Sequence, residues 1–187
     1  MSEGASRAGA LEAGPVSGQA THQCYTKVQV LLHWTVVALV VAQYATSGAI
    51  VRTHSIHLIG QRPNPADIVL HVLHNRVGLL LVAAMIVRLA YRIWFGVPSP
   101  VADPRWPWTA RLARTVHLAF YAVLITEGVA GAVASYFWWP ASALHVALFK
   151  VLLVLLTVHV AAALWHRLVR RDTTLSRMKL PVGWPRS

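Results

Sequence analysis

The chain is poor in two things: cysteine and acidic charge. Cys24 is the only cysteine in 187 residues, so no intrachain disulfide can form. Only six residues are acidic, and all charged residues together make up 12% of the chain, about half the ~25% share typical of a soluble globular domain. With 56% hydrophobic residues and a mean hydropathy of +0.52, an ordinary water-soluble fold is excluded and a membrane protein is expected.

What charge there is has one sign. The net charge is +11, and in a soluble protein that balance would point to nucleic acid. Here most of the Lys and Arg flank long apolar blocks, where cationic residues mark the cytoplasmic side. No nucleic-acid partner is expected; the partner is a lipid bilayer.

The apolar residues come in four blocks, roughly 28–51, 68–95, 112–139 and 143–169, each long enough for the ~20 residues that cross a hydrocarbon core. Long blocks, as opposed to short alternating segments, predict helices, which satisfy their own backbone hydrogen bonds. The expected fold is all-α: an integral membrane four-helix bundle. A polar loop with Arg52, His54, His57, Arg62, Pro63 and Pro65 joins the first two blocks, a Pro-rich stretch joins the middle two, and a Trp138-Trp139-Pro140 turn joins the last two. Lys27, Arg88, Arg92, Arg105, Arg111, Arg114, Arg167, Arg170, Arg171, Arg177, Lys179 and Arg186 share the side of the termini. Both termini are therefore expected to be cytoplasmic, in what would be a bacterial inner membrane. Trp34, Trp94, Trp138, Trp139 and Trp165 sit near block ends, as interfacial anchors do. Residues 1–24 are rich in Ala, Gly and Ser, resemble neither signal peptide nor helix, and are read as a disordered tail. The membrane domain is expected over 25–179, with a short tail at 180–187.

Ten histidines are many for such a chain, and seven of them, His33, His71, His74, His117, His145, His159 and His166, fall in or at the edges of the blocks. An ionisable group inside a membrane is costly and marks function by default. His145 and His159 are 14 residues apart, close to four helical turns, so one helix presents both on a single face about 21 Å apart. That spacing suits two stacked cofactors, one near each membrane face. At matching depth His33 pairs with His159, and His74 with His145. Neutral imidazole suits iron, and two imidazoles close both axial positions of a haem, which favours electron transfer. With no Cys-x-x-Cys-His run, haem would be held by side chains alone. Gly78, one turn after His74, leaves room for a flat macrocycle; His71 is followed by Asn75 at the same interval. His71, His117 and His166 are read as interface or propionate-contacting residues.

These residues resemble a family. KVQVLLHW around His33, the H-x-x-x-G of His74 and Gly78 leading into VRLAYR, the HLAFY run at His117, the His145 to His159 spacing followed by AAALWH, and the closing DTTLSRM are similar to the bacterial four-helix cytochrome b-561 group. That group includes the superoxide oxidase type and is related to the cytochrome b subunits of nickel-iron hydrogenases and formate dehydrogenases. The resemblance covers about residues 25–179 and implies haem b, two per chain, with ligands His33, His74, His145 and His159. It further implies electron flow from a one-electron donor on the trans side, superoxide in one type, to ubiquinone. The N-terminal tail and the loop with His54 and His57 depart from the family pattern, which bears on the donor.

Two rivals remain at this stage: a cytochrome subunit fed by a protein such as a hydrogenase or a soluble cytochrome, and a haem-free transition-metal transporter. No catalytic acid, base or nucleophile is expected, since haem carries the chemistry. Arg88 and Arg92 are candidates for pairing haem propionates, with snorkelling to lipid phosphate as the alternative. Glu127, mid-block, is read as a structural hydrogen-bonding group ahead of a proton donor to quinone. Arg52, Arg62 and Arg76 would give the trans face a positive field that draws anions. Met85 is read as packing, and Lys150 has no account beyond a charge partner.

Overall fold

The computed structural model describes residues 25–98, 106 and 108–171. The tail with Cys24, the cationic Arg105, Arg177, Lys179 and Arg186, the DTTLSRM run and the 180–187 tail lie outside the described residues. Four helices fill the rest: α1 (Lys27–Leu58), α2 (Pro65–Phe95), α3 (Trp108–Tyr136) and α4 (Ala141–Leu168). All four are long and apolar enough to cross a membrane.

Local chemistry sets the helix ends. Thr26 opens α1 with a capping box: its hydroxyl accepts from the Gln29 backbone at 3.2 Å, and the Gln29 side chain accepts from the Thr26 backbone at 3.0 Å. The Gln29 amide also donates to the Gly96 carbonyl at 2.8 Å, tying the start of α1 to the end of α2. Asn64 caps α2 through the Ala66 N–H at 2.9 Å, with Pro65 in the first turn.

One boundary differs from the sequence expectation. Helix α1 continues past Val51 to Leu58, so Arg52, His54 and His57 lie on a helix and the polar connection shrinks to residues 59–64. No breaker intervenes before Gly60, which adopts a φ of 73°. Arg52 is also held to Asp67 of α2, its Nη2 at 2.6 Å from Oδ1 and its Nε 3.1 Å from both carboxylate oxygens. This bidentate pairing corrects the three-cation picture of that face, since Arg52 is matched by a carboxylate. Arg62 and Arg76 are exposed.

The helices run up and down, α1 packing on α2, α2 on α3 and α3 on α4. Across the remaining gap α1 and α4 meet through side chains, with Tyr44 and Phe149 stacked 6.4 Å apart. One end of the bundle, the termini end, holds the starts of α1 and α3 and the ends of α2 and α4; the opposite, hairpin end holds the two short turns. The core is small, built on Val36, Leu81, Met85, Tyr121, Leu124 and Leu152, and Met85 packs there at 2% exposure. Most other large apolar side chains face outward. In lipid those surfaces give helices no reason to associate, so close approach at small residues and interhelical polar contacts take that role. Gly128 supplies such an approach: a Cβ there would run into Val82 and come within 3.9 Å of the Gly78 carbonyl oxygen, where α2 and α3 cross.

Candidate functional site

At the hairpin end the antiparallel register brings His74 of α2 and His145 of α4 together. Their ring centroids are 6.4 Å apart and their planes stand at 89°. Each ring is fixed through Nδ1. Thr46 of α1 spends its hydroxyl proton on the Ala42 carbonyl at 2.8 Å, so its oxygen accepts from His74 Nδ1 at 3.0 Å. His145 Nδ1 donates to the Glu127 backbone carbonyl at 2.9 Å, with the Glu127 Oε1 at 3.4 Å from the same nitrogen. Both rings therefore keep the Nε2 lone pair, the arrangement that a metal-ligating histidine requires.

The residues at this end fit a haem. Imidazole nitrogens bond a first-row metal at about 2.0–2.1 Å and lie roughly 1.1 Å from their ring centroid, so two rings on opposite sides of one ion stand about 6.3 Å apart. The observed spacing has that value. Beside the pair, the position a Gly78 Cβ would take is 2.6 Å from the Gln43 amide nitrogen, and the buried Gln43 Oε1 has no hydrogen-bond partner. A flexible polar side chain resting over a glycine, with its oxygen unsatisfied, is the behaviour of a group that yields to a larger occupant.

The termini end gathers more groups than the expected pair. His33 of α1 meets Arg88 of α2, and on the facing helices the His117 ring of α3 packs against His159 of α4 at 5.7 Å between centroids. Phe120 lies edge-on to His159 at 5.3 Å. Arg88 Nη1 is 3.1 Å from His33 Nδ1. A guanidinium only donates, so His33 accepts there and carries its proton on Nε2. Iron ligation through Nε2 thus needs Arg88 to release Nδ1 and turn to another acceptor, a role suited to a cofactor carboxylate. Arg92 sits over the Tyr121 ring at 5.7 Å. Each arginine thus makes a contact with a ring of a neighbouring helix.

Other residues singled out in the sequence separate from these two clusters. His71 packs against His54 with centroids 5.1 Å apart, and His54 against Trp139 at 4.7 Å, forming a ring cluster near the hairpin end. Lys150 is exposed on α4. Glu127, 8% exposed, has His145 as its partner. Thr46, Gln43, Gly128 and Gly131 were not anticipated. Thr46 lies in a small polar run with Gln43 and Ser47 inside the first apolar block, and Gly131 follows Glu127 by one turn; those were the available signals.

Comparison with known proteins agrees on one family. The model described as prokaryotic cytochrome b561 matches residues 24–180. Cytochrome b562 of Cereibacter sphaeroides is 30% identical over 162 residues, covering 84% of this chain and 96% of that protein. Cytochrome b561 homolog 2 of Escherichia coli is 31% identical over 129 residues, 57% of this chain and 68% of that protein. The probable superoxide oxidase CybB of Yersinia pestis is 25% identical over 179 residues, 84% and 96% respectively. No solved structure matches.

Proposed function

The chain belongs to the prokaryotic cytochrome b561 family, a membrane electron carrier with b-type haem, and from that premise we propose that it holds two haems and carries electrons from a one-electron donor, superoxide, to ubiquinone. His74 and His145 are the ligands at the hairpin end, and His33 and His159 those at the termini end. The observation that carries this reading is the His74–His145 pair, whose 6.4 Å centroid spacing is compatible with two imidazoles sharing one metal ion. The Lys and Arg bias supports cytoplasmic termini in a bacterial inner membrane as part of this reading.

Bound haem supplies one-electron chemistry. The protein's part is to hold the imidazoles: Thr46 and the Glu127 carbonyl fix His74 and His145 as Nε2 ligands, and Arg88 and Arg92 supply positive charge at the termini end, where a propionate would pair with them. His117 stands beside His159 as a further imidazole, placed to contact a propionate or a quinone oxygen. At the hairpin end, Arg62 and Arg76 favour an anionic donor.

A second reading keeps the haems and changes the donor to a protein. Two observations favour it: Arg52 is neutralised by Asp67, and a relative more similar than the probable superoxide oxidase is named only as a cytochrome. The transporter reading loses its support with the family match.

The test is to purify the chain in mild detergent and measure haem per polypeptide by pyridine haemochrome. Two b haems are expected, with one lost in His74→Ala or His145→Ala and the other lost in His33→Ala or His159→Ala. Superoxide-driven quinone reduction that superoxide dismutase abolishes supports superoxide as donor. Its absence, with reduction restored by a copurifying protein, supports the second reading.

A further inference from the structure

Helix α3 treats His145 differently from the way α1 treats His74. Both imidazoles donate through Nδ1, but His74 meets a neutral hydroxyl at 3.0 Å, whereas His145 meets a backbone carbonyl at 2.9 Å with a carboxyl oxygen 3.4 Å away. A helical carbonyl already accepts the N–H four residues on, which for Glu127 is that of Gly131. Its second lone pair is free, but a side chain on the following turn would block the way to it. Gly131 clears that way: a Cβ built there would lie 3.0 Å from both Cε1 and Nδ1 of the His145 ring. The ring lies across Gly131 and reaches back one turn to Glu127.

We propose that Glu127 and Gly131 form the seat of His145 and that the Glu127 carboxyl makes this imidazole the more electron-rich of the pair, holding down the reduction potential of the hairpin-end haem. The inference rests on the reading of His145 as a ligand. A stronger acceptor at Nδ1 raises the basicity of the ligating nitrogen, and a more basic axial ligand favours the oxidised metal. The observation also explains why a carboxyl stands at 8% exposure within an apolar helix, at a cost of at least a few kcal/mol if unsatisfied. Glu127 is a positioning residue here: it acts through His145 and touches neither donor nor acceptor.

The experiment is potentiometric titration of the purified holoprotein, followed in the visible spectrum, for the wild type, Glu127→Gln, Glu127→Leu and His145→Ala, with electron paramagnetic resonance on Gly131→Ala. Glu127→Gln is nearly isosteric and reports even where Glu127→Leu folds poorly. One haem should become about tenfold more reduced at a fixed potential in Glu127→Gln, a rise of ~59 mV for a one-electron couple, while the other stays put. Gly131→Ala should alter the low-spin ferric signal of that same haem, because the ring must turn away from the added methyl. Midpoints unmoved in Glu127→Gln with two haems retained, or both moved equally, overturn the proposal. If His145→Ala keeps both haems, the ligand reading itself is wrong and the proposal falls with it. Loss of one haem in His145→Ala beside an unmoved Glu127→Gln sinks only the proposal.

Discussion

The imidazole planes of His74 and His145 are orthogonal, at 89°, because each ring is clamped by a different helix: α1 through Thr46 and α3 through Glu127. Ligand planes set at right angles across a ferric haem give a strongly anisotropic low-spin signal, whereas parallel planes give a rhombic one. Electron paramagnetic resonance of the oxidised holoprotein should show a highly anisotropic component, and His74→Ala should remove it. A single rhombic signal for both haems would mean that the clamps do not hold the rings in the haem-bound protein.

Thr46 gives a second test on the opposite ring. Thr46→Val keeps the shape and takes away the hydroxyl oxygen that accepts from His74, so the hold on the Nδ1–H weakens. Changes of this kind in the groups behind a metal-binding histidine cost about 10–100-fold in affinity. Haem transfer from the variant to excess apoglobin should therefore be faster for one haem and unchanged for the other. Equal transfer from wild type and variant would leave Thr46 without a part in holding His74.

Arg88 bears on the other end. Its guanidinium stands 3.1 Å from His33 Nδ1, and a cation this close to a haem disfavours the extra positive charge of the oxidised state. Arg88→Met should lower the midpoint of the termini-end haem, opposite in sign to the effect of Glu127→Gln on its partner. Potentiometry on the two variants together separates the haems by the direction in which each moves; a midpoint that rises or stays still in Arg88→Met would place Arg88 away from the haem.

Packing offers a test independent of haem chemistry. A side chain at Gly128 collides with Val82, and overfilling a close contact typically costs 1–3 kcal/mol. Gly128→Leu should lower the melting temperature in detergent, while Val129→Leu, at a position 47% exposed to the surroundings, should leave it nearly unchanged.

Length and composition made the four helices legible, because an apolar run of sufficient length has no other stable form in a bilayer. The His74–His145 juxtaposition was legible from depth together with Gly78: in an up-and-down bundle, distance from a helix end fixes height, and the glycine one turn on singled out His74 over His71. Three features were not. The extension of α1 through His54 to Leu58 was hidden because polar residues in sequence read as loop, although a helix leaving the hydrocarbon continues until a breaker such as Gly60. His117 was placed at the right height, but height does not tell which way a side chain points, and it packs on His159. The seat of His145 depends on a lone pair of a backbone carbonyl, which carries no residue-type signature at all; only the pairing of Glu127 with a glycine one turn on hints at it.

The bundle is two hairpins, α1–α2 and α3–α4, and in the proposed ligation each haem takes one histidine from the first hairpin and one from α4. Yet α1 and α4 have little backbone contact of their own, meeting through side chains such as Tyr44 and Phe149. In that ligation the prosthetic groups would serve as rivets that close an otherwise open palisade at two heights. Under that ligation, a chain severed between α2 and α3 would have in its cofactors the means to hold its two halves together.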